Sequence, residues 1–146
     1  MLSDGSLKCF GFGHQGQLAQ GSDSNLGDEP GEMAALSPIH LGAGKTAVAV
    51  SVGSYHACAI LSDGTLKCWG MNDYGQLGDD SFADRATPTP VSVGGAAELL
   101  AAGNSATCAY VAGGLLKCWG DNNGGYLGDG TTFARPFPTT IPWPST

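Results

Sequence analysis

Apolar and polar positions in this chain change over in short runs, and nowhere do they settle into a 3.6-residue helical period. AVAVSVG at 47–53, HACAIL at 56–61 and TLKCWG at 65–70 each read as a strand, rich in small, β-branched or aromatic residues. After a proline-rich stretch, TPVSV at 89–93 reads as a fourth. Ser62, Asp63 and Gly64 join the second and third runs as a three-residue hairpin loop, in which Gly64 can take the left-handed conformation.

The pattern recurs. SLKCFGFGHQGQLAQG from Ser6, TLKCWGMNDYGQLGDD from Thr65 and LLKCWGDNNGGYLGDG from Leu115 align without gaps, so Cys9, Cys68 and Cys118 are equivalent, 59 and then 50 residues apart. The second match runs further: Asn72 maps to Asn122, Gly75 to Gly125, Leu77 to Leu127, Asp79 to Asp129, Arg85 to Arg135 and Pro88 to Pro138. Gly53 and Cys58 map to Gly103 and Cys108 at the same offset. The longer first spacing falls mostly in LAQGSDSNLGDEPGEMAALSP, which reads as an enlarged surface loop at about 19–38.

Four short strands in each 50-residue period match the blade of a β-propeller. The stretch YHACAILSDGTLKCWGMNDYGQLGDD resembles the regulator of chromosome condensation repeat, whose blades carry Cys-Ala-Leu, Asp-Gly, Trp-Gly, Asn and Gly-Gln-Leu-Gly in succession. Kelch and WD repeats lack the Gly-Gln-Leu-Gly turn after the Trp-Gly pair. The resemblance implies an all-β fold of four-stranded antiparallel blades, which family members close into a seven-bladed ring. About two and a half blades are expected here: the second half of a blade at 1–42, a complete blade at 43–93 and another at 94–146. Met1 aligns with Ile60, so the chain starts mid-blade, and the expectation is a partial propeller. Its open ends would be covered by missing blades of the same propeller or by other subunits.

Composition adds 24 Gly and only 13% charged residues, in keeping with many turns between short strands. Thirteen acids against six bases leave a net charge of -7, which repels phosphate backbones and anionic membranes, so nucleic acid is not an expected partner. No apolar run approaches the roughly 20 residues of a membrane helix, so no membrane insertion is expected.

The hairpin loop pairs residues 61 and 65, which sets Cys58 opposite Cys68 on one sheet face and, by the repeat, Cys108 opposite Cys118. These are candidate disulfides, each closing a small loop for roughly 2–3 kcal/mol, and they point to an oxidising compartment such as a lumen, a periplasm or the cell exterior. Reduced, they would pack as small apolar residues between blades. Cys9 is left unpaired, because the position opposite it falls before Met1. Phe10, Trp69 and Trp119 recur beside a Gly and are expected to fill the space between adjacent sheets. Lys8, Lys67 and Lys117 recur on the opposite strand face from the cysteines, with stems expected to lie over apolar neighbours.

No catalytic constellation, cofactor motif or metal set is visible. His14, His40 and His56 do not recur: His56 aligns with Ala106, and His14 with Asp73 and Asn123. DNNGGYLGDGTT from Asp121 fails as a calcium loop, since Tyr126 and Thr132 stand where Gly and Glu are required. The resemblance implies a protein that works by presenting rim loops to protein partners, as family members do when they serve as exchange factors, ligase-attached scaffolds, a plant light receptor or a β-lactamase inhibitor. The function expected is therefore a non-catalytic interaction or structural subunit, docking through rim loops and open blade edges. The alternatives are a ligand- or glycan-binding propeller fragment and a fragment of an exchange-factor-like or inhibitor-like propeller.

Overall fold

The computed structural model describes residues 1–142, so the last four residues of the expected 94–146 blade lie outside the described ones. Strands β1 (Ala47–Val52), β2 (His56–Leu61), β3 (Leu66–Gly70) and β4 (Arg85–Val91) form one antiparallel sheet in chain order. Strands β5 (Ala97–Ala102), β6 (Ala106–Val111), β7 (Leu115–Gly120) and β8 (Arg135–Thr140) form a second of the same order. The β2–β3 loop closes as its residues dictate. Gly64 takes φ +78 and its N–H donates to the Leu61 carbonyl at 2.8 Å, while Leu61 N–H donates to Thr65. Cys58 then pairs with Cys68, and Cys108 with Cys118 in the second sheet.

The fourth strand departs from expectation. It runs over Arg85–Val91 rather than 89–93, and therefore contains Pro88 and Pro90. Amide direction alternates along a strand, so prolines two residues apart lose donors on one side only, and on an outermost strand that side can be the free edge. β8 repeats the device with Pro136 and Pro138, and beyond it Ile141 N–H donates inward to the Leu116 carbonyl at 2.9 Å.

The two sheets stack face to face, with β5 lying against β1 and β2. Ile60, Leu66, Leu77 and Val91 of the first meet Ala97, Ala109, Val111 and Trp119 of the second in one buried cluster. The other face of the first sheet, carrying Ala57, Ala59, Leu61 and Trp69, is covered by Leu7, Ile39 and Leu41.

Residues 1–46 hold no strand, only a Gly11–Leu26 bridge and the short helix α1 (Glu32–Ala35) inside the expected loop. They nonetheless repeat three bonds of the later sheets. Gly5 N–H donates to Leu2 as Gly64 does to Leu61, Ile39 to Leu7 as Ile141 does to Leu116, and Ala47 to Gly5 as Ala97 does to Gly64.

Trp69 and Trp119 are wholly buried, but Phe10 is 63% exposed and does not pack between sheets. Each tryptophan lies on the Gly-x-Leu turn of the preceding repeat, and no described residue supplies that turn to Phe10.

Candidate interaction site

The Gly-Gln-Leu-Gly turn is the joint between successive repeats. At Gly75 a Cβ would strike the backbone of Pro136 in the next sheet, and at Gly78 it would strike the indole of Trp119. Gln76 folds its side chain back to accept from Tyr74 N–H at 2.9 Å, while its backbone carbonyl faces the neighbouring sheet. That carbonyl accepts both the Trp119 indole N–H at 2.9 Å and the Thr107 hydroxyl at 2.8 Å. Leu77 is buried in the core. One repeat earlier, the Trp69 indole donates to the Gln17 carbonyl at 3.0 Å. Backbone bonds complete the joint, from Asp80 to Pro136 and from Gly21 to Ala86, both at 2.9 Å.

A second repeated device holds the turn itself. The buried Asn72 side chain accepts from Leu77 N–H at 2.9 Å and donates to Asp79 and to the carbonyls of Ser81 and Ala83. Asp79 in turn receives Arg85 through Nε at 2.8 Å. Asn122, Asp129 and Arg135 reproduce the arrangement, with Arg135 Nε at 2.7 Å from Asp129. Burial works against the Asp79 charge, but the Ser81 hydroxyl, Arg85 and Asn72 outweigh it and hold the carboxyl below its ordinary range. The Thr131 hydroxyl, with Arg135 and Asn122, does the same for Asp129 against the cost of burial. Gly13 takes the Asn position in the first repeat. There a Cβ would run into the Ser24 carbonyl, and Asn25 from the enlarged loop accepts the Gly13 N–H at 3.0 Å, as Asp84 accepts the Asn72 N–H.

The joint is used twice and then left open. On the second sheet the face equivalent to Cys58, Ile60, Leu66 and Cys68 carries Cys108, Tyr110, Leu116 and Cys118, and among the described residues no sheet covers it. Leu99 is 67% exposed there and, with Leu100, Ala101, Tyr110 and Leu116, lines an apolar groove. Tyr126 stands where Gln76 stands in the previous repeat and is 73% exposed. At the other end, Cys9, Phe10 and Phe12 flank a second groove against Val52 and Tyr55, with the Phe12 and Tyr55 rings edge to face at 6.3 Å.

The sulfurs of Cys58 and Cys68 stand 2.07 Å apart and those of Cys108 and Cys118 2.11 Å apart, the first pair inside the inter-sheet cluster and the second on the open face. Cys9 is unbridged and half-buried, and burial pushes its thiol pKa up. Lys8, Lys67 and Lys117 are half-buried; His14 and His40 are exposed. His56 is fully buried and bonds across the joint to Thr107 at 2.8 Å. Sequence reasoning missed this bond and the Asn-Asp-Arg device, although the recurrence of Asn72, Asp79 and Arg85 fifty residues on carried the signal. Among the described residues no cluster of His, Cys, Asp and Glu is arranged to hold a metal, and no helix is long and apolar enough to cross a membrane.

Two up-and-down four-stranded sheets, stacked face to face by a repeated turn, are blades of a β-propeller, here a partial one. Family profiles for the regulator of chromosome condensation (RCC1) repeat match residues 47–76 and 63–110, so the chain carries that repeat over these residues. It is 35% identical over 92 residues to the human E3 ubiquitin-protein ligase HERC2, a match covering 63% of this chain and 2% of that protein. It is 33% identical over 92 residues to the Arabidopsis thaliana ultraviolet-B receptor UVR8, covering 62% of this chain and 19% of the receptor. Among solved structures, yeast RCC1 (Prp20), crystallised with Kap60, superposes with a TM-score of 0.83 at 20% identity over 96% of this chain and 34% of its own. Human WBSCR16 does so with a TM-score of 0.79 at 23% identity, over 97% of this chain and 34% of its own. The chain thus spans a small part of the curated relatives and about a third of the solved propellers it matches.

Proposed function

We propose that this chain is a non-catalytic interaction or structural unit, a propeller arc that docks to protein partners through its open blade faces and rim loops. A protein-interaction role in general accords with the propellers it is similar to. The observation that carries the finer reading is the uncovered face of the second sheet, where Leu99 and Tyr110 stand exposed while their equivalents in the first sheet lie against or beneath a neighbouring sheet. Exposed apolar area of this kind, arranged on a rigid sheet, is what a partner surface buries. The paired cysteines fit a working place in an oxidising compartment.

The test is capture of partners from the native source on the immobilised full chain, beside a Leu99→Asp/Tyr110→Asp double substitution. A protein retained by the wild type and lost on the double substitution supports docking through this face. A wild-type chain that stays monomeric, binds no hydrophobic dye and captures the same proteins as the substituted chain overturns it. An exchange-factor-like reading draws on the 38% identity over 71 residues to the mouse secretion-regulating guanine nucleotide exchange factor. Release of bound guanine nucleotide from a small GTPase on adding the chain would favour it.

A further inference from the structure

His56 is the one buried histidine, and it sits in the seam between the sheets with its ring against Gly53. Its Nε2 lies 2.8 Å from the Thr107 hydroxyl on β6. The Thr107 proton is directed to the Gln76 carbonyl at 2.8 Å, so the hydroxyl accepts from His56 and Nε2 carries the imidazole proton. That leaves Nδ1 deprotonated, wholly buried and without a partner. The chain of bonds from His56 through Thr107 to Gln76, where the Trp119 indole also arrives, is the polar core of the seam. The repeat does not require it, because Ala106 occupies the equivalent position in the second sheet.

We propose that the seam is an acid-sensitive hinge: protonation of His56 at Nδ1 parts the second sheet from the first while each sheet keeps its own ladder. A proton at Nδ1 would place a charge and a donor where the folded chain bonds no acceptor, and a buried unpaired charge is among the costliest features a core can hold. The seam relieves it by opening, since the sheets join there through side chains and a few backbone bonds whereas each sheet is internally laddered and carries its own cysteine pair. No neighbouring charge offsets this. β1 has no titratable side chain, and the groups on the other packed elements are Tyr55 before β2, Lys67 on β3, Asp73, Tyr74, Asp79, Asp80 and Asp84 in the β3–β4 turn, Glu98 on β5, Tyr110 on β6 and Lys117 on β7; none hydrogen-bonds to the ring, whose one partner is Thr107. Burial accordingly lowers the His56 pKa from 6.5 to about 4. The sign follows: a depressed histidine leaves the seam intact above pH 6.5, and the seam weakens as pH falls from there towards 4.

Two indole protons report on it in the full chain. Trp119 Nε1–H crosses the seam, whereas Trp69 Nε1–H bonds to Gln17 on the far side of the first sheet. Solvent exchange of both is followed by nuclear magnetic resonance between pH 6.5 and 4, and their ratio cancels the shared intrinsic pH dependence. The expected result is a Trp119-to-Trp69 exchange ratio that rises about tenfold or more in the wild type and stays flat in His56→Gln and His56→Ala. A wild-type ratio that stays flat overturns the hinge without recourse to any substitution, as does a rise that persists in both substituted chains.

Discussion

The indole nitrogen of Trp119 lies 2.9 Å from the carbonyl oxygen of Gln76, and this bond runs from one sheet to the next. Its twin, from Trp69 to Gln17 at 3.0 Å, makes the same connection one repeat earlier. Phenylalanine removes the donor and also leaves the space of the indole's second ring, so it reports the bond and that cavity together. Trp119→Phe is expected to lower stability by about 2–3 kcal/mol, even though Gln76 keeps its Thr107 donor, and Trp119→Ala by about 3–5 kcal/mol. Urea titration of the three proteins at neutral pH measures both, and a Trp119→Phe curve lying on the wild type would remove the bond from the account.

Asn72 uses both ends of its amide inside the protein, with Leu77 on one side and Asp79, Ser81 and Ala83 on the other. Asn72→Ala leaves the Leu77 N–H buried and unmet, at an expected cost of about 2–3 kcal/mol. Asn122→Ala should cost a similar amount. Thermal melts of the two substituted proteins are the check, and two neutral substitutions would show the device to be dispensable.

Asp79 and Asp129 both titrate below the ordinary carboxylate value of 3.8 in the folded chain. Their contribution is therefore complete above that value and is lost as pH falls below it, because the unfolded chain takes up those protons first. Acid unfolding of the wild type should include a step below pH 3.8 that Asp79→Asn and Asp129→Asn weaken. It lies below the His56 window, so the two steps separate in a pH titration followed by near-ultraviolet circular dichroism, which senses the Trp119 indole in the seam.

The two cysteine pairs differ in cover. Cys58 and Cys68 are wholly buried in the seam, whereas Cys108 is half-buried on the open face. Under mild reductant in native buffer, Cys108 and Cys118 should be reduced and alkylated well before Cys58 and Cys68, with peptide mapping as the readout. Five free thiols in the untreated, denatured protein would show that neither pair is bridged.

The blade was legible because its signals are local. A three-residue loop ending in Gly64 sets the β2–β3 register, and the Gly-Gln-Leu-Gly recurrence marks the turn. The fourth strand was misplaced because prolines weigh against a strand in any local reading. Pro88 and Pro90 are tolerated because β4 ends its sheet, and only the pairing order reveals that. The Asn-Asp-Arg device was visible as recurrence but not as a connection, since Asn72, Asp79 and Arg85 meet only once the turn has folded back on itself.

Phe10 marks the limit most clearly. It aligns with Trp69 and Trp119 and shares their position in the repeat, so sequence alone determined the repeat, the strand faces of the two sheets and the opposition of the cysteines. Burial depends on what another part of the chain brings to the same place. The turns at Gln17 and Gln76 reach Trp69 and Trp119, and among the described residues none reaches Phe10. Tertiary structure likewise decided that His56 would lie in the dark with one nitrogen unmet, because its environment is made by Thr107 and Gly53 from two sheets. Local sequence sets the backbone's short-range torsions and pairings, whereas solvation of a side chain is settled by residues distant along the chain.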